Sequence, residues 1–413
     1  MEKINTGLQI RLSIMMFFQY MMFAVWWIPL AAYLANLELN RGLTALILSS
    51  MAFGSVVSPL VGMLADRYFN TKYLLAFLNM MVGVLLLFAA STTQPAVLFV
   101  FMLLIMLFYM PTWALTSSIA LTSAPSDLFA RIRVWGTFGW IFSGIFSFFY
   151  VHQLNQSFDG TVLPFYFGSA LSFITALSNF ILPNSLPDKS NKSVSFLDIM
   201  GFRSVVLLKN RNFKIFLLIL FFSQIPFAMY WSYFSEYLNS VGYELITVTM
   251  STGQVIELLV LFSVPFFIKK IGLRNTMVLG MAALVIRYVA LFFAGNEANL
   301  GFVLIGAGVH GIIFGFFHLG GQIFTSKKAP SFLQAQAQGL IFFVTFAPGL
   351  LVGNFICGWI IGIFSENTAT GIVYQWDMIW GVTALMSVLV FLAFVLLFKN
   401  EPGHDNTIDT HAG

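Results

Sequence analysis

Long apolar runs alternate with short polar connections along the whole chain, and each run holds about twenty residues. A helix rising 1.5 Å per residue needs about that length to cross a hydrocarbon core of roughly 30 Å. The runs lack the roughly ten-residue alternation of barrel strands. The pattern predicts twelve helical spans, the first six at about 9–35, 42–65, 72–91, 95–120, 130–152 and 163–183. The next six fall at about 212–238, 245–268, 275–294, 299–325, 333–363 and 376–398. Between the sixth and seventh lies the longest polar stretch, PNSLPDKSNKSVSFLDIMGFRSVVLLKNRN. It divides the chain into a six-helix half at 1–185, a linker at 186–211 and a second six-helix half at 212–399. A short polar tail follows at 400–413 and is expected to be disordered.

Composition restates the class and excludes others. Hydrophobic residues make up 59% of the 413 residues and charged residues 9%, and the mean hydropathy is +0.88. A soluble surface needs far more charge, so the chain reads as an all-α polytopic membrane protein. The single cysteine, Cys357, excludes a disulfide framework. The first apolar run is too long for a signal-peptide core and has no small-residue cleavage site after it, so it reads as a span.

Charge sets the expected orientation. Lys3, Arg11, Arg67, Lys72, Arg131, the linker cluster, Lys214, Lys269, Lys270, Arg274, Lys327, Lys328 and Lys399 all fall on one side of a twelve-span topology. Arg41 falls on the other side, whose loops carry Glu38, Asp159, Glu244, Glu297 and Glu366. The positive-inside rule puts both termini and the linker in the cytoplasm of a bacterial cell, with the chain in the inner membrane. Basic residues distributed over short loops are a topology signal, so nucleic acid is not an expected partner.

The loop after the second span reads GMLADRYFNTK, from Gly62 to Lys72. Gly62 permits close helix packing, Asp66 can accept hydrogen bonds at a helix end, and Arg67 and Lys72 anchor the loop. Two six-span halves and this G-x-L-A-D-R-x-x-x-x-K pattern resemble the major facilitator superfamily, whose fold is the expected one. A degraded echo, PFFIKKIGLRNT from Pro265, sits at the matching place in the second half.

Polar groups inside spans carry the functional reading, because an ionised side chain at mid-membrane costs about 2.5–3.5 kcal/mol on insertion scales. Glu257 stands midway along span eight, with Gln254 three residues earlier on the same face. Each has a competing structural reading, a hydrogen bond or ion pair to a neighbouring helix. In span five, ARIRVWGTFGW places Arg133, Thr137 and Trp140 on one face at helical spacing, with Gly136 and Gly139 permitting close approach. Arg133 is the expected counter-charge to Glu257, the alternative being that it snorkels beside Arg131. Span one offers Gln19, Trp26, Trp27 and Tyr33, and span four Tyr109, Pro111 and Thr112. Span seven offers Tyr230 and Trp231, and span ten His310, Phe314 and His318. Many of these aromatic groups are expected to be packing. Arg287 in span nine has no evident partner.

With these residues in view, the chain resembles the nucleoside:proton symporter family over nearly its whole length. The similarity is most specific at YMPT (109–112), RVWGTFG (133–139), Q-x-x-E (254–257) and AQG (337–339), with Gln19, Trp26 and Tyr33 agreeing in span one. The resemblance implies import of a nucleoside with a proton by alternating access, no cofactor or metal, and a monomer in the bilayer. It also implies a site containing Arg133, Thr137, Gln254 and Glu257, with Trp140 standing where the family has an aromatic; the mid-membrane burial of Glu257 beside an arginine makes it, independently, the expected proton carrier. Gln19, Trp26, Tyr109, Thr112, Trp231, His310, Phe314 and His318 complete the expected lining. The sequence departs from the family at FGFFH, where Gly315 replaces an expected aspartate and His310 an expected aromatic hydroxyl. It departs again in span seven, where Ala228 and Trp231 replace a Q-x-x-N pattern. These changes leave a sugar or glycoside open as an alternative substrate. No HExxH, GxSxG or Walker motif appears, so neither an enzyme nor an ATP-driven pump is expected.

Overall fold

The computed structural model describes residues 6–123, 126–184, 202–330, 333–369 and 371–399. Eleven of its helical stretches are long and apolar enough to cross a membrane. In chain order they are Thr6–Asn36, Arg41–Ala65, Thr71–Ala90, Pro95–Ser123 and Arg131–Leu154, then Arg211–Ser240, Ile246–Ile271, Leu273–Ala294, Leu300–Lys328, Gln336–Ile363 and Trp376–Leu397. The sixth predicted span is the shorter helix Leu163–Asn179, whose 17 residues reach about 25 Å. These helices fall where the apolar pattern puts them.

Asparagine marks several helix starts. Asn40, Asn70, Asn210 and Asn299 each accept a hydrogen bond from a backbone N–H in the first turn that follows, at 2.9–3.3 Å. These bonds satisfy donors that the helix leaves orphaned where it enters the apolar region.

The apolar pattern does not show the interruptions. Span one breaks between Trp27 and Leu30, beside Pro29. Spans ten and eleven contain π-helical turns at Ile313–His318 and Thr345–Gly349. The connection between spans eleven and twelve, which reads as a plain loop, is a hairpin of β1 (Ser365–Thr368) and β2 (Gly371–Tyr374). It is too polar and short for a hydrophobic signal, yet its backbone pairs antiparallel from Ser365↔Tyr374 to Thr368↔Gly371. In the linker, Phe202–Lys209 forms a 3-10 helix. Residues 185–201, which include the first part of the linker, and the tail at 400–413 lie outside the described residues. The side chains of Asp66 and Arg67 are likewise outside the description, and Lys72 lies over the Tyr73 ring.

The halves meet along three seams: span one on seven, two on eleven, and five on eight. Hydrogen bonds joining them gather towards the end that carries the one–two, five–six, seven–eight and eleven–twelve connections. Arg41 pairs with Glu236 of span seven, and the Tyr374 hydroxyl from β2 donates to the same carboxylate at 2.9 Å. Asn239 donates to Asn36 at 2.7 Å. Asp159, in the five–six connection, accepts from the Thr247 backbone N–H at 2.9 Å and its hydroxyl at 2.6 Å, and from Ser147 at 2.7 Å. It thereby caps the first turn of span eight from the opposite half. Burial pushes the Asp159 carboxyl up, against the downward pull of the Thr247 and Ser147 hydrogen bonds. The structure is therefore latched at one end of the interface between halves.

Candidate substrate site between the halves

A cavity of about 10 Å³ lies on the interface, lined by Trp27, Ile28, Trp140, Tyr230, Trp231, Met250 and Gln254. These residues come from spans one and five of the first half and seven and eight of the second. The volume holds about one water molecule, so a substrate the size of a nucleoside enters only when the halves part. Two glycines make the convergence possible. A Cβ at Gly139 would lie 2.0 Å from the Phe17 carbonyl oxygen, so span five can press on span one and present Trp140. A Cβ at Gly311 would lie 2.2 Å from the Glu257 nitrogen, so span ten seats directly on span eight beside Glu257. Any side chain at either position would push the helices apart.

Trp140 and Trp231 form the aromatic floor, with ring centroids 5.8 Å apart and planes tilted by 36°. Phe227 stacks on the far side of Trp231 at 5.9 Å. Gln254 is buried and its Oε1 has no hydrogen-bond partner. Glu257, one turn further along span eight, is 9% exposed and has no ion pair within 4.0 Å among the described residues. The charge that acts on it is Arg133. That guanidinium is not paired with the carboxylate; it lies 4.2 Å from the centroid of the Tyr20 ring. The expectation of a direct counter-ion thus becomes a longer-range one, with Arg133 held by a cation–π contact. Thr137 is buried on the same helix between Arg133 and Trp140.

Other expected lining residues sit elsewhere. Gln19 donates to Thr112 at 2.9 Å and exchanges hydrogen bonds with Asn79 at 3.1 and 2.9 Å. The Tyr109 hydroxyl donates to the Gln19 carbonyl at 3.3 Å and accepts from the Trp113 ring nitrogen at 2.9 Å. Gln19, Tyr109 and Thr112 are wholly buried and staple spans one, three and four inside the first half. None of them lines the cavity. Trp26 packs on Phe165 of span six, and its neighbour Trp27 turns to the cavity instead. Adjacent positions on a helix point about 100° apart, and in a run this uniformly apolar nothing in the sequence says which one faces inward.

His310, Phe314 and His318, expected as lining, do not line the cavity and instead cluster with Phe227 next to it. Phe227 contacts both imidazoles, at 6.0 Å for His310 and 5.2 Å for His318. Phe314 lies 6.0 and 5.5 Å from the same two rings. Arg287 gains an account here. It is fully buried, its Nε donates to the Gly306 carbonyl at 3.1 Å, and its guanidinium lies 3.8 Å from the centroid of the Tyr230 ring. Tyr230 stacks in turn on His310 at 5.4 Å. The arginine therefore backs an aromatic wall of the cavity rather than pairing with an acid.

The family model described as Nucleoside H+ symporter matches residues 6–403. The chain belongs to that family. Among its relatives are a provisionally named nucleoside transporter, YegT, and nucleoside permease NupG, both of Escherichia coli (strain K12). YegT is 30% identical, with 96% of this chain and 95% of the relative covered. NupG is 27% identical, with 95% of this chain and 96% of the relative covered. A crystal structure of a NupG point mutant superposes with a TM-score of 0.86 at 26% identity, covering 95% of this chain and all of that one. A bacterial homologue of the lysosomal transporter Spinster, 13% identical with a TM-score of 0.71, shares the fold alone. The nucleoside H+ symporter family is one of membrane transporters built on the major facilitator fold, and membership does not favour the sugar or glycoside alternative.

Proposed function

We propose that this protein imports nucleosides together with protons by alternating access across the bacterial inner membrane. Both termini lie in the cytoplasm on this reading, which makes the latched end of the interface the outer one. The observation that carries the proposal is the cavity shared by the halves. It joins an aromatic floor, Trp140 and Trp231, to an unpartnered amide, Gln254, one helical turn from the mid-membrane carboxyl Glu257. A nucleoside matches those parts: a flat base for the indole rings, the polar edge of that base for the amide, and ribose hydroxyls for the carboxyl.

In the transport cycle, the Arg41–Glu236 and Asp159–Thr247 contacts hold the outer end shut. Binding and protonation from outside require those contacts to break. Arg133, Thr137, Trp140, Trp231, Gln254 and Glu257 are assigned to substrate, with His310, Phe314 and His318 shaping the wall behind it. Gln19, Trp26, Tyr109 and Thr112 support the first half from within.

Calorimetric titration of the purified protein with nucleosides and with sugars tests the substrate class. Nucleosides are expected to bind, and binding of sugars with no response to nucleosides would overturn the proposal. Gln254→Ala and Trp140→Ala are each expected to weaken nucleoside binding by about 0.5–1.5 kcal/mol, one hydrogen bond or stacking contact, with little change in melting temperature. Wild-type affinity in either variant would return that residue to a packing role.

A further inference from the structure

The polar atoms around the cavity are unequally divided between donors and acceptors. Trp27 Nε1, Trp231 Nε1 and the Tyr230 hydroxyl are buried and have no hydrogen-bond partner among the described residues, and all three residues line the cavity. The one orphaned acceptor there is Gln254 Oε1. An indole N–H can only donate, and a phenol donates readily. Leaving such groups unmet inside a membrane protein is costly, about 1–3 kcal/mol each. Four of them around one cavity mark a template for a ligand that supplies the missing partners. No carboxylate lines this cavity to serve as a further acceptor, and Gly315 takes the place of the acid expected in span ten. Arg287, fully buried behind Tyr230, adds positive charge on the same side.

Resting on the nucleoside reading, we infer that the site selects nucleosides whose base presents an imide edge, carbonyl–NH–carbonyl, read by the Trp27 and Tyr230 donors and by Gln254 Oε1 while the base lies on the Trp231 ring. Uracil, thymine and xanthine carry that edge. Its two carbonyls accept from the ring N–H and hydroxyl donors, and its single N–H donates to the Gln254 carbonyl oxygen. Cytosine has the same size and the same ribose, but its ring nitrogen accepts and its exocyclic amine donates. It would set an acceptor against Gln254 Oε1 and a donor against an indole N–H. Discrimination of this kind is large because the wrong base leaves buried groups unpaired rather than merely losing a contact.

Uridine and cytidine are therefore the decisive pair, measured by titration of the purified full-length protein and by mutual competition for uptake into proteoliposomes. Uridine is expected to bind at least about tenfold more tightly than cytidine. Trp27→Phe and Tyr230→Phe keep the rings and remove one donor each. Each is expected to weaken uridine by about three- to tenfold while leaving cytidine nearly unchanged, so the ratio narrows. Melting curves report whether either variant has lost its fold, and the second variant stands if the first has. Equal affinity for the two nucleosides, or an unchanged ratio in a folded variant, overturns the imide assignment while nucleoside transport stands. Binding of neither nucleoside overturns both.

Discussion

Replacing Glu257 by glutamine is expected to leave nucleoside exchange across the membrane intact and to abolish accumulation driven by a pH difference. Glutamine reproduces the shape and hydrogen bonding of a protonated carboxyl but cannot release the proton. In the structure Glu257 is buried, unpaired within 4.0 Å among the described residues, and acted on by the charge of Arg133. A carboxyl in that position can be neutral with its proton or balanced by a cation that moves towards it. Rocking of the halves changes the spacing of spans five and eight, so the two options alternate with the transport state. One proton moved down one pH unit supplies about 1.4 kcal/mol, enough for roughly tenfold accumulation. The variant should therefore fall from roughly tenfold to no concentration gradient. Accumulation that persists in Glu257→Gln would remove Glu257 as the carrier and leave His310 and His318 to be tested next.

Removing the Arg41 side chain should shift the protein towards an outward-open state. Glu236 is wholly buried, and one of its oxygens already lacks a partner. Arg41→Ala leaves that carboxylate without its cation whenever the outer end closes. Breaking a buried pair from one side costs about 3–5 kcal/mol, and the lower end applies because Arg41 keeps 19% exposure. A cost of that size, set against the closed state alone, changes the balance of states by two orders of magnitude or so. A cysteine placed at Met250, which lines the cavity, reports the change once the buried native thiol is removed by Cys357→Ala. A membrane-impermeant thiol reagent added outside is expected to label it at least about tenfold faster in the Arg41 variant. Tyr374→Phe removes one hydrogen bond to the same carboxylate and should give a smaller shift, about 1 kcal/mol. Unchanged labelling in both would mean that Glu236 does not hold the outer closure.

How much of this was legible beforehand depended on whether local pattern or tertiary partner choice was at stake. Spans were legible because each must be continuously apolar, and their ends moved by only a few residues. Gln254 and Trp140 were legible as residues facing the other half because a polar or large aromatic group on a span-five or span-eight face has few other places to go, and both line the cavity. Trp26 and Trp27 could not be told apart, since both neighbours are aromatic in a run with no polar face. Gln19 looked available for substrate because its partner, Asn79, lies sixty residues away and is chosen by packing. Arg41 and Glu236 stand 195 residues apart and belong to different halves, so no local signal joined them. Arg287 lacked an acid in the sequence and found an aromatic ring instead, a contact that periodicity does not encode.

Uptake of labelled uridine into proteoliposomes with the exterior made more acidic than the interior tests coupled nucleoside transport most directly. Uridine should rise inside well above its external concentration, and a protonophore should return it to equilibrium. Uptake that only equilibrates, or accumulation that a protonophore leaves untouched, would contradict proton-coupled nucleoside import.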